Sequence, residues 1–219
     1  KKNMKSNIYK IGDLNLFSVT TKQIIKFIKQ NKSKVNGYIC VTNTRTAYLS
    51  NKDESYCMIQ NNSLMTIPDG MPLVWLGKLS GFKNTVRTAG PEIFEQVLKD
   101  SDKTLTHYFL GDTKDVLEKL KNKCVEEYDA NIVGSYSPEF LDLEDYDYEF
   151  IAEDINFSGA DVVWLALGSP KQDVFASKLA KFTNQKIIMN VGAAFRFILG
   201  EYSMPVGVIQ KIGMTGVYW

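Results

Sequence analysis

Residues 161–182, DVVWLALGSPKQDVFASKLAKF, place an apolar, β-rich run directly before a glycine turn and a helical pattern. Apolar runs of the same kind recur along the chain at 38–42, 64–70, 106–111, 131–135 and 186–192. Between some of these runs, apolar residues recur at three- and four-residue spacing, as at 91–100 and 114–128. This alternation is typical of βαβ units. It predicts an α/β fold with a Rossmann-like, mostly parallel sheet and helices on both faces.

The chain is expected to contain a small N-terminal unit and one larger domain. In residues 1–36, IYKIGDLNLFSV predicts a short strand and hairpin, and TKQIIKFIKQNK predicts a helix, both packed on the core. Residues 37–219 are predicted to form the Rossmann-like domain. A chain of 219 residues with 44% hydrophobic composition is long enough to bury one full core.

The charge balance limits the partners that this protein is expected to have. Lys and Arg number 26 and Asp and Glu number 25, which gives a formal net charge of +1. The chain therefore has no global basic field for nucleic acid or anionic lipid, and no nucleic-acid partner is expected. Any anion must be held by a local site.

The cysteines and the histidine exclude several kinds of site. The three cysteines are far apart and fit no metal-ligand spacing, which suggests reduced thiols and a cytoplasmic protein. His107 is the only histidine, so histidine triads and paired-histidine metal sites are excluded and a structural role is favoured. No stretch approaches the roughly 18 apolar residues that a membrane span needs.

Asp69 is the strongest candidate for chemistry. It lies in IPDGMP, after the apolar run LMTI and before the helical pattern MPLVWLGKL. A carboxylate at a strand end, flanked by Pro68 and Gly70, is fixed in position and open to a ligand, as a general base must be. A helix N-cap is the alternative, because aspartate often fills that position. The local sequence leaves both interpretations open.

The turn LGSPKQD, residues 167–173, is a candidate anion site. Gly168 and Ser169 allow a tight backbone approach, and free backbone N–H groups before a helix favour an anion. Lys171 and Gln172 add a cation and an amide. A capping turn without a ligand is the alternative. The GxGxxG fingerprint of dinucleotide-binding proteins is missing here.

Other strand ends carry weaker signals. Gly192 in NVGAAFRF and Gly111 in FLGDT each follow an apolar run, where a ligand or simple packing would explain them. Arg87 in VRTAGPE is either a phosphate clamp or a surface charge. Asn43 after YICVT is either a polar site residue or a turn former.

An acidic stretch, DLEDYDYE at 142–149, raises the question of a metal clamp. Asp145 and Asp147 have the spacing of two carboxylates that share a divalent ion with a diphosphate. The pair precedes the helical pattern EFIAEDINF, so the solvated first turn of a helix is the preferred interpretation. No metal site is expected.

Taken in order, TN, IPDGMPLVW, RTAGPE, YFLG, SGADVVWLALGSPKQ and NVGAAF resemble the WecG/TagA/CpsF family of bacterial glycosyltransferases. The resemblance covers about residues 37 to 213, and PDG, the arginine-glycine motif and GSPKQ in this order are its specific parts. It implies an inverting, metal-independent transfer without a cofactor, from a UDP-sugar to a sugar on a polyprenyl diphosphate. Such enzymes serve the synthesis of teichoic acid, capsule and other cell-surface polysaccharides.

The resemblance also implies roles for individual residues. Asp69 matches the aspartate of the PDG motif and would deprotonate the acceptor hydroxyl. Asn43 matches the asparagine after the first core strand, and Thr42 stands one position from the threonine usual in the family. The residues expected around the substrates are Arg87, Gly90, Gly111, Gly168, Ser169, Lys171, Gln172 and Gly192.

Departures from the family pattern bear on the donor and on the membrane. Asp112 follows Gly111 where a second glycine is usual, and Arg196 stands where an acidic residue is frequent. The resemblance implies an N-acetylmannosaminyltransferase-like enzyme, and these two departures near the expected donor pocket leave the identity of the donor sugar open. Family members commonly continue beyond the position of Trp219 into a basic appendage thought to reach the membrane. The resemblance therefore implies a cytoplasmic protein peripheral to the inner face of the membrane through a segment that this chain lacks. A homo-oligomer is left open.

Two other classes of protein remain for comparison. A non-catalytic module that binds a nucleotide or nucleotide-sugar would use the same glycine turns without needing Asp69. An NAD-type Rossmann oxidoreductase needs a glycine fingerprint on an early βα turn and an acid near the end of the next strand. The sequence has neither feature, so the oxidoreductase is the weaker alternative.

Overall fold

The computed structural model describes residues 7–100 and 104–202. Six parallel strands form the main sheet: Gly37–Thr42 (β3), Met65–Pro68 (β4), Thr106–Gly111 (β5), Asn131–Tyr136 (β6), Val162–Ala166 (β7) and Ile187–Asn190 (β8). Their order across the sheet is β4-β3-β8-β7-β5-β6, and every neighbouring pair is parallel. The last strand in sequence, β8, therefore lies near the centre, between β3 and β7. This arrangement confirms the predicted α/β fold with a parallel sheet.

A two-stranded antiparallel hairpin precedes the sheet, formed by Ile8–Ile11 (β1) and Leu14–Phe17 (β2). Leu14, Leu16 and Tyr9 of the hairpin pack in a small apolar cluster with Ala47, Cys57 and Leu73. The expected strand, hairpin and helix before residue 37 are therefore present. The domain boundary at residue 36 stays a prediction.

The helices cover both faces of the sheet. They are Thr21–Asn31 (α1), Thr44–Ser50 (α2), Glu54–Asn61 (α3), Met71–Leu79 (α4), Gly90–Asp100 (α5), Lys114–Tyr128 (α6), Tyr148–Ser158 (α7), Lys171–Leu179 (α8) and Ala194–Ile198 (α9). On one face, side chains of α1, α5, α6 and α9 form a core with alternate strand residues. On the other face, α7 and α8 do the same.

Aromatic side chains fill the first of these cores. Phe94 of α5 contacts Trp164 of β7 edge-on, with ring centroids 4.8 Å apart, and it also contacts Phe109 and Phe195. Burying each such ring stabilises the fold by about 2 kcal/mol. Because Phe94 and Phe195 belong to α5 and α9, this packing fixes two helices that begin at the carboxyl end of the sheet.

The cysteines and His107 lie inside the fold. Cys40, Cys57 and Cys124 are free thiols and all are buried. His107 Nδ1 accepts a hydrogen bond from Trp164 Nε1 at 3.1 Å, and burial lowers the pKa of His107 to about 4. This buried, neutral histidine fits the structural role expected from the sequence. Across residues 7–100 and 104–202, no helix has the length and apolar character to cross a membrane.

Candidate active site

The strand ends named by the sequence lie along one rim of the sheet, because parallel strands place all their carboxyl ends at the same edge. Asn43 directly follows β3 and Asp69 directly follows β4, and these strands pair with Thr42 opposite Pro68. Gly111 ends β5 opposite Ala166 of β7. The GSPKQ turn follows β7, so it shares this rim with Asp69.

Backbone hydrogen bonds fix Asp69 at the rim. Its N–H donates to Thr42 O at 2.7 Å, which continues the β3–β4 pairing by one residue. The N-cap of α4 is Gly70, and that helix has no side-chain cap hydrogen bond. Asp69 is therefore not the helix cap, and its carboxyl group is available for another role. The side chain is 29% exposed.

Arg87 and Glu92 surround this carboxyl group. Arg87 Nε lies 3.2 Å from Asp69 Oδ1 as an ion pair, without the alignment of a hydrogen bond. Arg87 Nη1 donates to Glu92 Oε1 at 3.0 Å. Thr88 N–H donates to Pro68 O at 3.0 Å, which ties the arginine segment to the end of β4. Arg87 is thus a partly buried cation between two carboxylates rather than a free surface charge.

The environment raises the pKa of Asp69 towards neutral pH. Desolvation raises the pKa of Asp69 to about 6, Arg87 opposes that shift, and Glu92 adds to it through its negative charge. Desolvation acts although part of the side chain is accessible, because the surrounding protein replaces much of the water around the carboxyl group. A carboxylate tuned in this way is ionised at pH 7 yet more basic than an ordinary aspartate, which suits a general base.

Asn43 and Thr42 have different surroundings. Asn43 is the N-cap of α2: its Oδ1 accepts from Thr46 N at 3.0 Å, and Thr46 Oγ1 accepts from Asn43 N in return. The turn-forming interpretation therefore accounts for its side-chain oxygen. Thr42 is fully buried, and its Oγ1 has no hydrogen-bond partner within the described residues. A catalytic role for either residue stays a prediction.

Gln172 connects two of the glycine turns. Its Oε1 accepts from Gly168 N at 3.2 Å and from Gly192 N at 3.1 Å, and its Nε2 donates to Ser169 Oγ at 2.8 Å. Gly168 and Gly192 have φ values of +77° and +57°, and a Cβ added at either would meet no atom within 4 Å. The turns thus border open space, while their own N–H groups point at Gln172 and not into that space.

The ammonium group of Lys171 contacts a different loop, although the residue belongs to the GSPKQ turn. Its Nζ donates to Leu141 O at 2.5 Å and sits over the ring of Phe140, 4.3 Å from the centroid. The lysine expected along the diphosphate therefore holds the 137–147 loop against α8 in this structure. Its substrate contact stays a prediction that requires the ammonium group to leave this loop.

Two glycines expected near the substrates also allow close backbone packing. A Cβ at Gly90 would lie 2.7 Å from Val191 O, and one at Gly111 would lie 2.4 Å from Ala166 O. Both contacts are with backbone, which cannot easily move. Packing at the rim thus accounts for these glycines, and their contact with substrate stays a prediction.

Sequence reasoning noted Asp112 and Arg196 separately but missed that they are partners. Arg196 Nε and Nη2 donate to the two carboxylate oxygens of Asp112 at 3.0 and 2.7 Å, and Nη1 donates to Glu201. The paired charges join the end of β5 to α9. The only sequence signal for this pairing is the opposite charge of the two side chains, each of which follows a strand end.

The acidic stretch forms a helix start, as preferred. Asp147 is the N-cap of α7, and its Oδ1 accepts from Phe150 N at 2.9 Å. Within the part of the chain that the structure describes, no group of three or more His, Cys, Asp or Glu side chains is arranged to hold a metal ion.

Comparisons with known proteins place this chain in a family of glycosyltransferases. The profile of the Glycosyl transferase WecG/TagA/CpsF family matches residues 9–218. A Bacillus subtilis (strain 168) protein named N-acetylglucosaminyldiphosphoundecaprenol N-acetyl-beta-D-mannosaminyltransferase is 26% identical over 84% of this chain and 71% of its own length. A protein of the same name from Bacillus spizizenii (strain W23) is 24% identical over 94% of this chain and 78% of its own length. The chain belongs to the WecG/TagA/CpsF family of glycosyltransferases.

Proposed function

We propose that this glycosyltransferase moves a sugar from a UDP-sugar to a polyprenyl-diphosphate-linked acceptor, by an inverting and metal-independent displacement. The observation that carries the proposal is the Asp69 carboxyl group, fixed at the rim, partly exposed and tuned by burial. The names of the two Bacillus relatives support an acceptor of the N-acetylglucosaminyl-diphosphoundecaprenol type. The donor sugar, the cytoplasmic location, contact with the inner face of the membrane and a role in cell-surface polymer synthesis belong to the same proposal.

The proposed chemistry is a single displacement. Asp69 takes the proton of the acceptor hydroxyl as its oxygen bonds to the anomeric carbon, while the bond from that carbon to UDP breaks on the opposite face. Arg87, 3.2 Å away, keeps Asp69 ionised before the reaction. In this proposal the diphosphate binds in the open space beside Gly168 and Gly192. The N-terminus of α8 supports that position, because a helix N-terminus favours negative charge.

The proposal is tested by a panel of UDP-sugars, first for saturable binding and then for transfer to a short polyprenyl-diphosphate-GlcNAc analogue. We expect one donor to support transfer in the presence of EDTA. NMR of the product should show that the configuration at the anomeric carbon is inverted relative to the donor. Binding of a different nucleotide and of no UDP-sugar would contradict the transferase. Loss of activity in EDTA, restored by a divalent ion, would contradict only the metal-independent mechanism.

The pH dependence of transfer should follow the ionisation of Asp69. Because the base must be ionised, kcat/KM should rise with pH through the pKa of about 6 and level off above it. At one pH unit below that pKa, the rate should be about tenfold lower than the plateau. The measurement is kcat/KM between pH 4.5 and 8.5 at constant ionic strength.

Glu92→Gln should move the rising limb of the pH profile, the range where kcat/KM increases with pH, to lower pH. The substitution removes a negative charge that raises the pKa of Asp69, and it frees Arg87 to interact with Asp69 alone. Glu95→Gln is the matched control, since Glu95 lies on the same helix but contacts Lys99 and Tyr128. An unchanged limb in Glu92→Gln, or the same change in both variants, would contradict the assignment of the limb to Asp69.

A further inference from the structure

A cluster of polar side chains lies buried directly beneath the rim, outside the proposed chemistry. The carboxyl group of Asp173, on α8, is completely buried. Tyr56 OH of α3 donates to its Oδ2 at 2.5 Å, and Asn190 Nδ2 of β8 donates to its Oδ1 at 2.7 Å. Gln60 Nε2 in turn donates to Tyr56 OH at 3.0 Å. These bonds join α8 to one other helix and to the central strand of the sheet.

Burial of this carboxyl group is costly unless its partners are kept. Desolvation raises the pKa of Asp173, and the hydrogen bonds from Tyr56 and Asn190 oppose that shift. Removing one donor would leave an oxygen of a buried acid without its bond, which is unfavourable whichever protonation state the acid holds. The cluster therefore constrains α8 more strongly than apolar contact alone, because its bonds are directional.

The position of Asp173 in sequence connects the cluster to the rim. Gln172, the preceding residue, is 2% exposed, and its Oε1 accepts from both Gly168 N and Gly192 N. Consecutive helical side chains point in different directions, so this turn of α8 directs one polar side chain to the rim and the next into the core. Any shift of the turn would move Gln172 away from at least one of the two glycines.

We propose that Asp173, held by Tyr56 and Asn190, is a positioning residue that fixes the first turn of α8 so that Gln172 keeps the two glycine turns at a set separation. These turns flank the open space assigned to the donor diphosphate, so the catalytic consequence rests on the proposed function. The positioning itself is a property of the folded chain. It can be measured without any substrate.

Tyr56→Phe is the test, because it removes one hydroxyl donor and keeps the ring. In protein labelled with ¹⁵N-glycine, we expect the Gly168 and Gly192 amides to exchange with solvent about tenfold faster than in the unsubstituted chain. Gln172→Ala, which removes the acceptor itself, should produce at least the same change. Tyr108→Phe is the matched control, since this buried tyrosine also donates to a carboxylate, Asp154 of α7.

Steady-state kinetics distinguish a positioning role of Asp173 from a general loss of protein stability. Tyr56→Phe should raise the KM for the UDP-sugar several-fold with little change in kcat, whereas Tyr108→Phe should leave both unchanged at a similar melting temperature. Unchanged exchange at both glycines in Tyr56→Phe, with the expected change in Gln172→Ala, would overturn the proposal. If the unsubstituted chain transfers no sugar, the proposed function fails while the exchange measurement still decides the positioning role.

Discussion

Asp69→Asn should lower the rate of sugar transfer by about a thousandfold while UDP-sugar binding changes little. The amide has nearly the shape of the carboxyl group but cannot accept a proton from the acceptor hydroxyl at neutral pH. The backbone bond from Asp69 N–H to Thr42 O does not involve the side chain, so the rim should keep its geometry. Single-turnover transfer and calorimetric titration with the donor measure the two effects separately.

Stability should not account for this loss. Burial raises the pKa of Asp69, so an ionised carboxylate opposes folding at pH 7, and its removal offsets the lost ion pair with Arg87. We therefore expect a melting temperature close to that of the unsubstituted chain. Asp115→Asn is the control, since Asp115 pairs with Lys119 on the exposed side of α6. Full transfer activity in Asp69→Asn would show that Asp69 is not the base. Binding of a UDP-sugar without transfer by the unsubstituted chain would instead favour a non-catalytic nucleotide-sugar-binding module.

Gly111→Ala should be the most damaging small substitution for the fold. Gly111 has a φ of +113°, and an added Cβ would lie 2.4 Å from the carbonyl oxygen of Ala166 on the neighbouring strand. Relief of that contact requires β5 and β7 to separate at the rim, which breaks the backbone pairing near the GSPKQ turn. We expect the free energy of unfolding to fall by about 3 kcal/mol or more, measured by urea denaturation.

Gly159→Ala separates the cost of left-handed backbone strain from the cost of a steric clash. Gly159 is the C-cap of α7 with a φ of +72°, and an added Cβ would meet nothing within 4 Å. The substitution should cost only the left-handed backbone strain, roughly 1 kcal/mol. Equal losses in the two variants would mean that the close approach of Gly111 to Ala166 does not limit stability.

Most of the sheet could be predicted from the sequence because each buried strand is a compact apolar run that ends in a turn signal. The pattern THYFLG predicts β5 over the residues where the structure has it, and KDVLEKLKNKCVEEY likewise predicts α6. The short helices α2, α3 and α9 were not predicted. They are too short to show a clear apolar period, and α2 depends on a capping box between Asn43 and Thr46.

The rim could be predicted, but its hydrogen-bond partners could not. A position at a strand end is a local property, so Asp69, Gly168 and Gly192 followed from turn signals. Partners such as Asp69 for Arg87, and Asp112 for Arg196, depend on which loops meet at the rim. The same applies to Gln172, whose bond to Gly192 joins turns on two different strands.

The central place of β8 has a consequence for how the protein is made. On a ribosome, the β4-β3 pair and the β7-β5-β6 set emerge before β8, and neither is hydrogen-bonded to the other until β8 enters between them. Parallel pairing across such long sequence separations is slow. We expect translation products that stop short of Ile187 to have a sheet divided into the β4-β3 and β7-β5-β6 sets, without Gly192 and without transfer activity.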